Sequence, residues 1–304
     1  MLQLNDLLEN FSCDLCGQRN EEFLYTKCGV ISRYPFRVVR CRSCGLIYVN
    51  PRLSEQALLG LYDKDYYNGK GFDHNVNYVE DFHKKSDIDK VFRPEETIRI
   101  IQEIVPPPST FLDFGCGLGD LLRQAIKHGY KAEGFEVSPF ATEFVRGNGF
   151  RVYDSFDQLP HEQYDIVTAI EVLEHCCSPT KVLATIYKCL KHGGVFYYIT
   201  ANFDGFGGSK DYRDGYVLPE GHIHFFSTRV MKSYFKKIGY SQVFCFQSKA
   251  YQRSGRLFRF LSELGLIENQ DTPTTFSGKF LYYGLLNLTS VLKLRKVSLP
   301  LARK

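Results

Sequence analysis

The stretch "LDFGCGLGD", Leu112 to Asp120, places a glycine at every second position directly after an apolar run. A segment of helical pattern, "DLLRQAIKHG", follows it. A glycine-rich turn between a strand and a helix lets a ligand approach the backbone closely. A pyrophosphate site has the spacing G-x-G-x-x-G, whereas the spacing here is G-x-G-x-G. The glycines of this loop are Gly115, Gly117 and Gly119.

Two carboxylates flank the glycine loop, Asp113 just before it and Asp120 just after it. They would repel a pyrophosphate, and they suit a ligand that carries an ammonium group and a positive sulfonium centre. S-adenosylmethionine is such a ligand. The loop therefore predicts a site for a cationic cofactor rather than for a dinucleotide.

Strand and helix patterns alternate around this loop. The runs "TFLDFG", "KAEGFEV", "YDIVTAI" and "VFYYIT" are typical of buried strands, and helical patterns such as "FATEFVRGNG" and "PTKVLATIYKCLKHGG" lie between them. Such alternation predicts an α/β fold with a mostly parallel, Rossmann-like sheet and helices on both faces.

Composition limits the class of protein. The chain has 304 residues, with 44% hydrophobic and 24% charged residues, which is ordinary for a globular protein. The net charge of +4 is too small to indicate a nucleic-acid partner by itself. No apolar run approaches the roughly 20 residues that span a bilayer. The start of the chain lacks a basic region followed by an apolar core, so we expect a cytoplasmic protein.

Four of the ten cysteines form two pairs with the same spacing, "CDLCG" and "CRSCG". In a reducing compartment, paired C-x-x-C units indicate metal ligands before disulfides. Two such pairs can close a tetrahedral zinc site, and a site with four thiolates has no open position, so the zinc would be structural. Two redox dithiols are the alternative. The predicted ligands are Cys13, Cys16, Cys41 and Cys44.

Zinc modules of this size also bind nucleic acid. The loop between the cysteine pairs carries both basic and acidic residues, so this function is not favoured here. The basic residues are Lys27, Arg33, Arg37 and Arg40, and the acidic ones are Glu21 and Glu22.

Two acidic residues end the strands that follow the glycine loop. Glu136, at the end of the second predicted strand, can accept hydrogen bonds from both hydroxyls of a ribose. Asp154 ends the third strand, where an adenine edge would lie, although Asp154-Ser155 could equally cap the next turn. The candidate cofactor-binding residues are Asp113, Gly115, Gly117, Gly119, Glu136, Asp154 and Ile170.

Several segments agree in order and spacing with one known family: "VVRCRSCGLIYVNPR", "FLDFGCGLGD", "GFEVSP", "YDIVTAIEVLEH", "LKHGGVFYYIT" and "GHIHFFS". The chain resembles class I S-adenosylmethionine-dependent methyltransferases. It is similar to the branch with an N-terminal four-cysteine zinc module, which includes sugar C-methyltransferases, and its core is similar to ubiquinone-type O-methyltransferases. The resemblance covers most of residues 11–250. It implies the strand order 3-2-1-4-5-7-6, with the last strand antiparallel, and methyl transfer to a small molecule.

The predicted organisation has four parts. Residues 1–50 form a zinc module and residues 51–93 a helical lid or linker. Residues 94–250 form the S-adenosylmethionine-binding core, and residues 251–304 a helical insertion with a possible final strand. In that last part "SGKFLYYGLLNLTSVLKLRK" is expected to be a helix over the sheet or pocket, with peripheral membrane contact as a less favoured alternative. "VSLPLARK" occupies the position of the family's final strand.

Methyl transfer needs a group that removes a proton from the acceptor. The segment "EVLEH" offers Glu171, Glu174 and His175. In ubiquinone-type relatives a similar segment holds a divalent cation. Here a cation site, a base, and a bracing role at the helix start all remain open, and Glu171 is the member expected to face the ligand.

The segment "GHIHFFS", Gly221 to Ser227, offers a second base. In the resembling sugar C-methyltransferases the matching segment carries a Glu-His pair used in proton abstraction. His222 matches that histidine, but Gly221 stands in the place of the glutamate, with Glu220 adjacent. Histidine titrates near neutral pH and suits the task. We therefore predict a lone histidine base, while His224 is expected to pack or to bond the backbone.

Tyrosines of "YDKDYYNGKGF", namely Tyr62, Tyr66 and Tyr67, are expected to cover the cofactor, where aromatic rings can stabilise a sulfonium. The candidate catalytic residues are His222, Glu171 and Tyr67. The sequence thus predicts a methyltransferase with a structural zinc ion and a small polar acceptor, a sugar or sugar nucleotide. The alternatives are O-methylation of a phenolic or hydroxylated metabolite and an inactive zinc-ribbon binding protein.

Overall fold

The computed structural model describes residues 7–73, 76–84, 92–203, 216–240, 242–247 and 290–295, the last two ranges by their backbone. The strands are β1 (Leu8–Glu9), β2 (Glu21–Cys28), β3 (Pro35–Cys41), β4 (Ile47–Val49), β5 (Arg52–Leu53), β6 (Thr110–Phe114), β7 (Lys131–Phe135), β8 (Val152–Tyr153), β9 (Tyr164–Ile170), β10 (Leu190–Ile199), β11 (His224–Phe225), β12 (Gln242–Gln247) and β13 (Ser290–Arg295). The α-helices are α1 (Glu55–Leu59), α2 (Tyr78–His83), α3 (Pro94–Gln102), α4 (Asp120–Lys127), α5 (Pro139–Gly147), α6 (Pro179–Cys189) and α7 (Thr228–Ile238).

A seven-stranded sheet forms the core, in the order β12-β13-β10-β9-β6-β7-β8. The five strands from β10 to β8 are parallel, and β13 runs antiparallel between β10 and β12. This arrangement confirms the predicted order 3-2-1-4-5-7-6 with its antiparallel last strand.

The position of the last strand differs from the sequence expectation. β13 covers Ser290–Arg295, "SVLKLR", inside the stretch that was expected to be helical. Its regular pairing with both neighbours satisfies the backbone groups of this segment. "VSLPLARK", the expected strand, lies outside the described residues, and so does most of the preceding apolar segment.

Burial explains the strands at the centre of the sheet. β9 and β10 are apolar over most of their length and buried on both faces, which is typical of parallel strands covered by helices. The helices begin where the sequence signals them: Ser138 and Ser178 cap α5 and α6 by accepting backbone N–H groups, and a proline follows each. Because β6, β7 and β9 are parallel, their carboxyl ends meet at one edge of the sheet, beside the starts of the helices.

A smaller antiparallel sheet carries the cysteine pairs, in the order β11-β4-β3-β2. Its fourth strand, β11, comes from much later in the chain: His224 and Phe225 pair with Tyr48 and Ile47. Residues 1–50 thus share their sheet with the segment "GHIHFFS".

The described parts of the lid, 51–73, 76–84 and 92–93, contain short helical pieces: α1, a kinked helical turn at Tyr66–Lys70, and α2. Their aromatic residues pack against Leu118 of the glycine loop and Ala141 of α5, forming one apolar cluster. The lid therefore covers the edge of the main sheet at which β6 ends. Within the described ranges, no helix has the length and apolar character to cross a membrane.

Candidate functional site

A cavity of about 1070 Å³ lies between the carboxyl edge of the main sheet, the lid and the histidine segment. Its volume is at the upper limit for small-molecule sites and leaves room for a cofactor and a second molecule together. One end, the loop end, is lined by the glycine loop, Asp113 and Glu136. The other, the histidine end, is lined by Glu171, His175 and His222.

The glycine loop needs its glycines for two different reasons. Gly115, Gly117 and Gly119 all have positive φ, of 76°, 52° and 87°. A Cβ on Gly115 would lie 2.6 Å from Cγ2 of Val172, whereas a Cβ on Gly117 would meet no atom within 4 Å. Gly117 therefore borders open space that a ligand can use, while Gly115 is required by packing. Gly119 does not line the cavity and instead stands just before α4.

Glu136 is buried beside the loop, at the end of β7. Its Oε2 accepts the backbone N–H of Gly117 at 2.9 Å, and its Oε1 accepts those of Val137 and Ser138 at 2.9 and 2.8 Å. Burial raises its pKa above the ordinary value. Each carboxylate oxygen can accept more than one hydrogen bond, so Glu136 fixes the loop and can still accept from ligand hydroxyls.

Asp113 is buried at the end of β6, and its Oδ1 accepts the hydroxyl of Thr168 at 2.8 Å. Burial raises the pKa of Asp113 to about 7, and nearby Glu136 adds to the shift. A cation in the cavity would favour the ionised form. The loop end thus presents two buried carboxyl groups, which fits the positive charge of S-adenosylmethionine.

The two remaining cofactor candidates lie differently. Ile170, at the end of β9, lines the cavity. Asp154 lies outside it and is half-exposed, with its carboxylate held by Arg146 at 2.9 Å and by Gln158 at 2.9 Å. The structure therefore does not bring Asp154 to the site, and its predicted contact with adenine stays a prediction without geometric support.

The described part of the lid contributes four tyrosines to the cavity, Tyr62, Tyr66, Tyr67 and Tyr78. Tyr67 is 5% exposed and stacks on Phe140 with ring centroids 5.5 Å apart. The hydroxyl of Tyr66 donates to that of Tyr78, which donates to Asp73. The hydroxyl of Tyr62 is buried and has no hydrogen-bond partner. Tyr62 is therefore the lid tyrosine that is free to bond a ligand.

His222 is buried at the histidine end, and its Nδ1 lies 2.6 Å from the carbonyl oxygen of Tyr216. A carbonyl oxygen only accepts, so Nδ1 carries the proton and Nε2 keeps its lone pair. The ring packs against those of Tyr216 and His175, with centroids 4.5 and 4.6 Å away. This arrangement gives a histidine that can accept a proton at a known atom.

Gly221 explains why no glutamate precedes this histidine. A Cβ on Gly221 would lie 2.2 Å from Cζ of Phe72, so the lid occupies the space a longer side chain needs. Glu220 does not substitute for it, because its carboxylate accepts the backbone N–H groups of Ile31 and Ser32 at 2.9 and 2.6 Å. His222 therefore has no Glu220 partner.

The segment "EVLEH" forms a buried cluster beside His222. Glu174 is fully buried, and its two oxygens accept the hydroxyls of Thr200 and Tyr216, each at 2.9 Å. Glu171 has a φ of 50° and an Oε1 without a partner, and it lines the cavity. Burial raises the pKa of Glu171 well above its ordinary value, and the adjacent Glu174 carboxylate adds to the shift. The raised pKa favours the protonated form of this carboxyl group.

His175 completes this cluster, with its Nδ1 3.0 Å from the carbonyl oxygen of Gly221. Burial beside His222 lowers the pKa of His175 to about 4, so it is neutral at pH 7. Its contacts and those of Glu174 are of the kind that brace a loop. Within the ranges that the structure describes, this cluster does not form a metal-ligand group.

The four-cysteine cluster does have the geometry of a metal site. The sulfurs of Cys13, Cys16, Cys41 and Cys44 all lie within 4.8 Å of one another, and two of the separations are 3.4 and 3.5 Å. Tetrahedral zinc with bonds of about 2.3 Å needs thiolates roughly 3.8 Å apart, so the cluster fits a structural zinc ion. Cys28 is exposed and lies outside the cluster.

The zinc module is bonded to the core. Asp14, inside the first cysteine pair, accepts hydrogen bonds from Ser178, Thr180 and Tyr234 at 2.6–3.0 Å. His224 is buried in this region, as expected for a packing residue, and does not line the cavity. The position of the histidine segment thus depends on the module.

The fold and the cavity define a methyltransferase domain of class I. A family model described as a methyltransferase domain matches residues 90–243, which is half of the chain. The chain therefore belongs to this family, whose cofactor is S-adenosylmethionine.

Curated relatives match over the core. The ubiquinone biosynthesis O-methyltransferase of Pseudomonas savastanoi pv. phaseolicola is 31% identical over 102 residues, which are 30% of this chain and 44% of the relative. The protein of the same name from Hahella chejuensis is 26% identical over 144 residues, or 42% of this chain and 60% of the relative. The chain thus spans about half the length of these relatives.

Solved structures of methyltransferases are also similar. An S-adenosylmethionine-dependent methyltransferase from Archaeoglobus fulgidus has 17% identity and a TM-score of 0.47, over 66% of this chain and 92% of its own. The plantazolicin methyltransferase BpumL, solved with S-adenosylhomocysteine, has 14% identity and a TM-score of 0.49, over 80% of this chain and 97% of its own.

Sequence reasoning missed several residues of the cavity. Phe72 shapes the histidine end and Phe156 lies over Phe135 with ring centroids 5.1 Å apart, yet each is one aromatic among many in the sequence. Arg52, also in the cavity wall, ends the quoted segment "VVRCRSCGLIYVNPR" and was given no role. Its position in a segment that resembles the family was the signal that could have marked Arg52 as a functional residue.

Proposed function

We propose that this chain transfers a methyl group from S-adenosylmethionine to a small polar acceptor, with a sugar or sugar nucleotide as the first candidate class. The observation that carries the proposal is that the glycine loop and His222 line one cavity, with Nδ1 of His222 at a carbonyl oxygen and Nε2 left as the proton acceptor.

The loop end would hold the cofactor through Asp113, Glu136 and the open face of Gly117. S-adenosylmethionine, when bound, supplies a methyl group on a positively charged sulfur. The carboxyl groups match that charge, and the lid tyrosines would cover it and exclude water. Gly115 and Ile170 would shape this end, since both line the cavity.

His222 would act as the general base and accept the acceptor's proton at Nε2. Glu171 has an unpartnered Oε1 and a raised pKa, so in its protonated form it would donate a hydrogen bond to an acceptor oxygen rather than remove a proton. Tyr62 would provide a second hydroxyl. Tyr67, which stacks on Phe140, would serve as a wall, so its predicted catalytic role is proposed here only as contact with the cofactor.

Two acceptor classes remain as proposals. The sugar class is supported by the resemblance of the cysteine and histidine segments to sugar C-methyltransferases. O-methylation of a hydroxylated ring is supported by the name of the curated relatives and by the absence of a Glu220–His222 contact, since deprotonating a hydroxyl needs a weaker base than deprotonating a carbon.

Calorimetric titration with S-adenosylmethionine and with a nicotinamide dinucleotide tests the shared part of the proposal. We expect binding of the first and not of the second. Preferential binding of the dinucleotide would refute the proposal, and binding of neither would favour the inactive zinc-ribbon alternative.

Isotope exchange separates the two acceptor classes. In D₂O with S-adenosylhomocysteine bound, a C-methyltransferase exchanges the carbon-bound proton of its keto-sugar acceptor, and mass spectrometry detects the added deuterium. An O-methyltransferase leaves carbon-bound protons in place and instead methylates a catechol-type acceptor in a radiolabel assay. Methylation of a catechol without exchange of any keto-sugar would remove the sugar class.

A further inference from the structure

Arg52 is a buried cation in the cavity wall, and none of the described carboxylates hydrogen-bonds to it. The residue is only 4% exposed, yet its guanidinium lines the cavity. Its Nη2 donates to the carbonyl oxygen of Cys177 at 2.7 Å, while Nε and Nη1 are buried and have no hydrogen-bond partner among the residues that the structure describes. Buried charges are normally paired, because an unpaired one costs several kcal/mol of desolvation.

The guanidinium has three carboxyl groups near it, those of Glu9 on the paired strand, Asp14 and Glu55, but among the described residues it hydrogen-bonds to none of them. Its plane lies over the ring of Phe11, with Cζ 4.1 Å from the ring centroid. The carboxylate of Asp14 instead accepts hydrogen bonds from Ser178, Thr180 and Tyr234. The guanidinium is thus oriented by an aromatic ring and a carbonyl oxygen, and it keeps free donors.

Arg52 lines the same cavity as the histidine end and is linked to it through neighbouring residues. Its neighbour Leu53 packs in one apolar cluster with Ile223, the residue after His222. Cys177, which accepts from Arg52, follows the segment that carries Glu171 and His175. Arg52 and the residues of the histidine end thus line one cavity and are joined by these contacts.

We propose that Arg52 binds an oxyanion group of the acceptor, a phosphate or a carboxylate. The proposal rests on the proposed function, which places the acceptor at the histidine end. A guanidinium offers five N–H donors in a rigid plane that matches both oxyanions. The cavity would then sort its two ligands by charge: carboxyl groups hold the cationic cofactor, and Arg52 holds the anionic end of the acceptor.

Calorimetry with simple oxyanions tests this site. The zinc-loaded protein is saturated with S-adenosylhomocysteine and titrated with inorganic pyrophosphate and, separately, with malonate. We expect at least one of them to bind, and Arg52→Gln to weaken that binding by about 10- to 100-fold, the value of a hydrogen bond to a charged group. A stronger pyrophosphate signal identifies a phosphate-bearing acceptor, and a stronger malonate signal a carboxylate. Binding of neither by the parent protein would overturn the proposal.

A matched control removes a positive charge from the same cavity. Lys181 is exposed at its rim, with Nζ 5.0 Å from the centroid of the Phe156 ring. Lys181→Gln should leave oxyanion binding close to that of the parent. An equal loss in both variants would mean a general charge effect and would contradict a specific site at Arg52.

Crystallography of the parent protein gives a test that needs no variant. Crystals soaked in sodium selenate should show an anomalous peak beside the Arg52 guanidinium, and a selenate bound only elsewhere would contradict the proposal, even if Arg52→Gln failed to fold. S-adenosylhomocysteine binding is read in the same titrations. If it persists while oxyanions do not bind, only the Arg52 inference fails; if it is absent, the proposed function fails.

Discussion

The loop end and the histidine end of the cavity are built in opposite ways. Asp113, the glycine loop and Glu136 come from 24 consecutive residues, 113–136, held by two adjacent parallel strands. The histidine end combines residues from three ranges, 62–72, 171–177 and 216–222, which meet only in the folded chain. The first end can be recognised as a motif, whereas the second depends on how three separate segments pack.

This contrast leads to the largest effect that we expect. Cys41→Ser should remove zinc, because three ligands leave the site open, and structural zinc contributes about 10–16 kcal/mol in isolated finger peptides. The small sheet and β11 should loosen, which would abolish turnover, while S-adenosylhomocysteine binding persists at the loop end. Elemental analysis, turnover and calorimetry measure the three quantities.

Cys28→Ser is the matched control, since Cys28 is exposed and outside the cluster. It should retain zinc and activity. If Cys41→Ser lost cofactor binding as completely as turnover, the two ends would not be separable.

The next effect isolates the histidine end. His222→Asn should keep cofactor affinity but lower kcat by about 10²–10⁴-fold, the usual contribution of a positioned general base. Steady-state kinetics and calorimetry measure both. His161→Asn, an exposed histidine far from the cavity, is the control. A His222→Asn enzyme within about threefold of the parent would shift the base to another group, because that margin is far below the expected range.

A smaller effect isolates the loop end. Gly117→Val places a side chain in open space beside the loop and should weaken S-adenosylmethionine binding by about 10- to 100-fold, the effect of 1–3 kcal/mol of steric overlap. Gly149→Val is a matched control, because Gly149 also has positive φ, 81°, and open surroundings, but lies outside the cavity. Equal affinity in the two variants would show that Gly117 does not face the ligand.

The smallest effect is a pH dependence of cofactor binding. Burial raises the pKa of Asp113 to about 7, so the group is protonated below that pH in the free protein. A cationic cofactor favours the ionised form, and its affinity should therefore rise roughly tenfold from pH 6 to pH 8.

Asp113→Asn should flatten this dependence, since asparagine keeps an oxygen for the Thr168 hydroxyl but does not titrate. The same raised pKa makes the free protein less stable as pH rises from 4 to 7, because the folded state then binds more protons than the unfolded one. Calorimetry at several pH values and thermal unfolding check both signs. If the slope of cofactor affinity against pH were unchanged in Asp113→Asn, a group other than Asp113 would be responsible for the pH dependence.

The sequence predicted what is local or periodic. The glycine loop, Glu136 and the cysteine cluster follow from short patterns whose partners are close in the chain or share a repeated spacing, whereas the strand order was implied by the family resemblance. The last strand was misplaced because "SVLKLR" is short and apolar and sits in a longer apolar run, where helix and strand patterns cannot be told apart.

What could not be predicted depends on contacts between distant segments. The Asp154 carboxylate is held by Arg146 and Gln158, and only the fold shows that this holds it outside the cavity. The Phe72 ring, 149 residues earlier in the chain, fills the space beside Gly221. This contact explains why no glutamate stands at position 221. The Glu220 carboxylate is likewise committed to residues 31–32.

The pairing of β11 with β4 bears on how this chain could be recombined. Two residues beside the histidine form the outer strand of a sheet whose other three strands lie before residue 50. A chimera that exchanged only the first fifty residues with those of a relative would match a foreign edge against the native His224–Phe225 pair. Inheritance that preserves activity would therefore transmit the cysteine segment and the histidine segment together, although about 170 codons separate them.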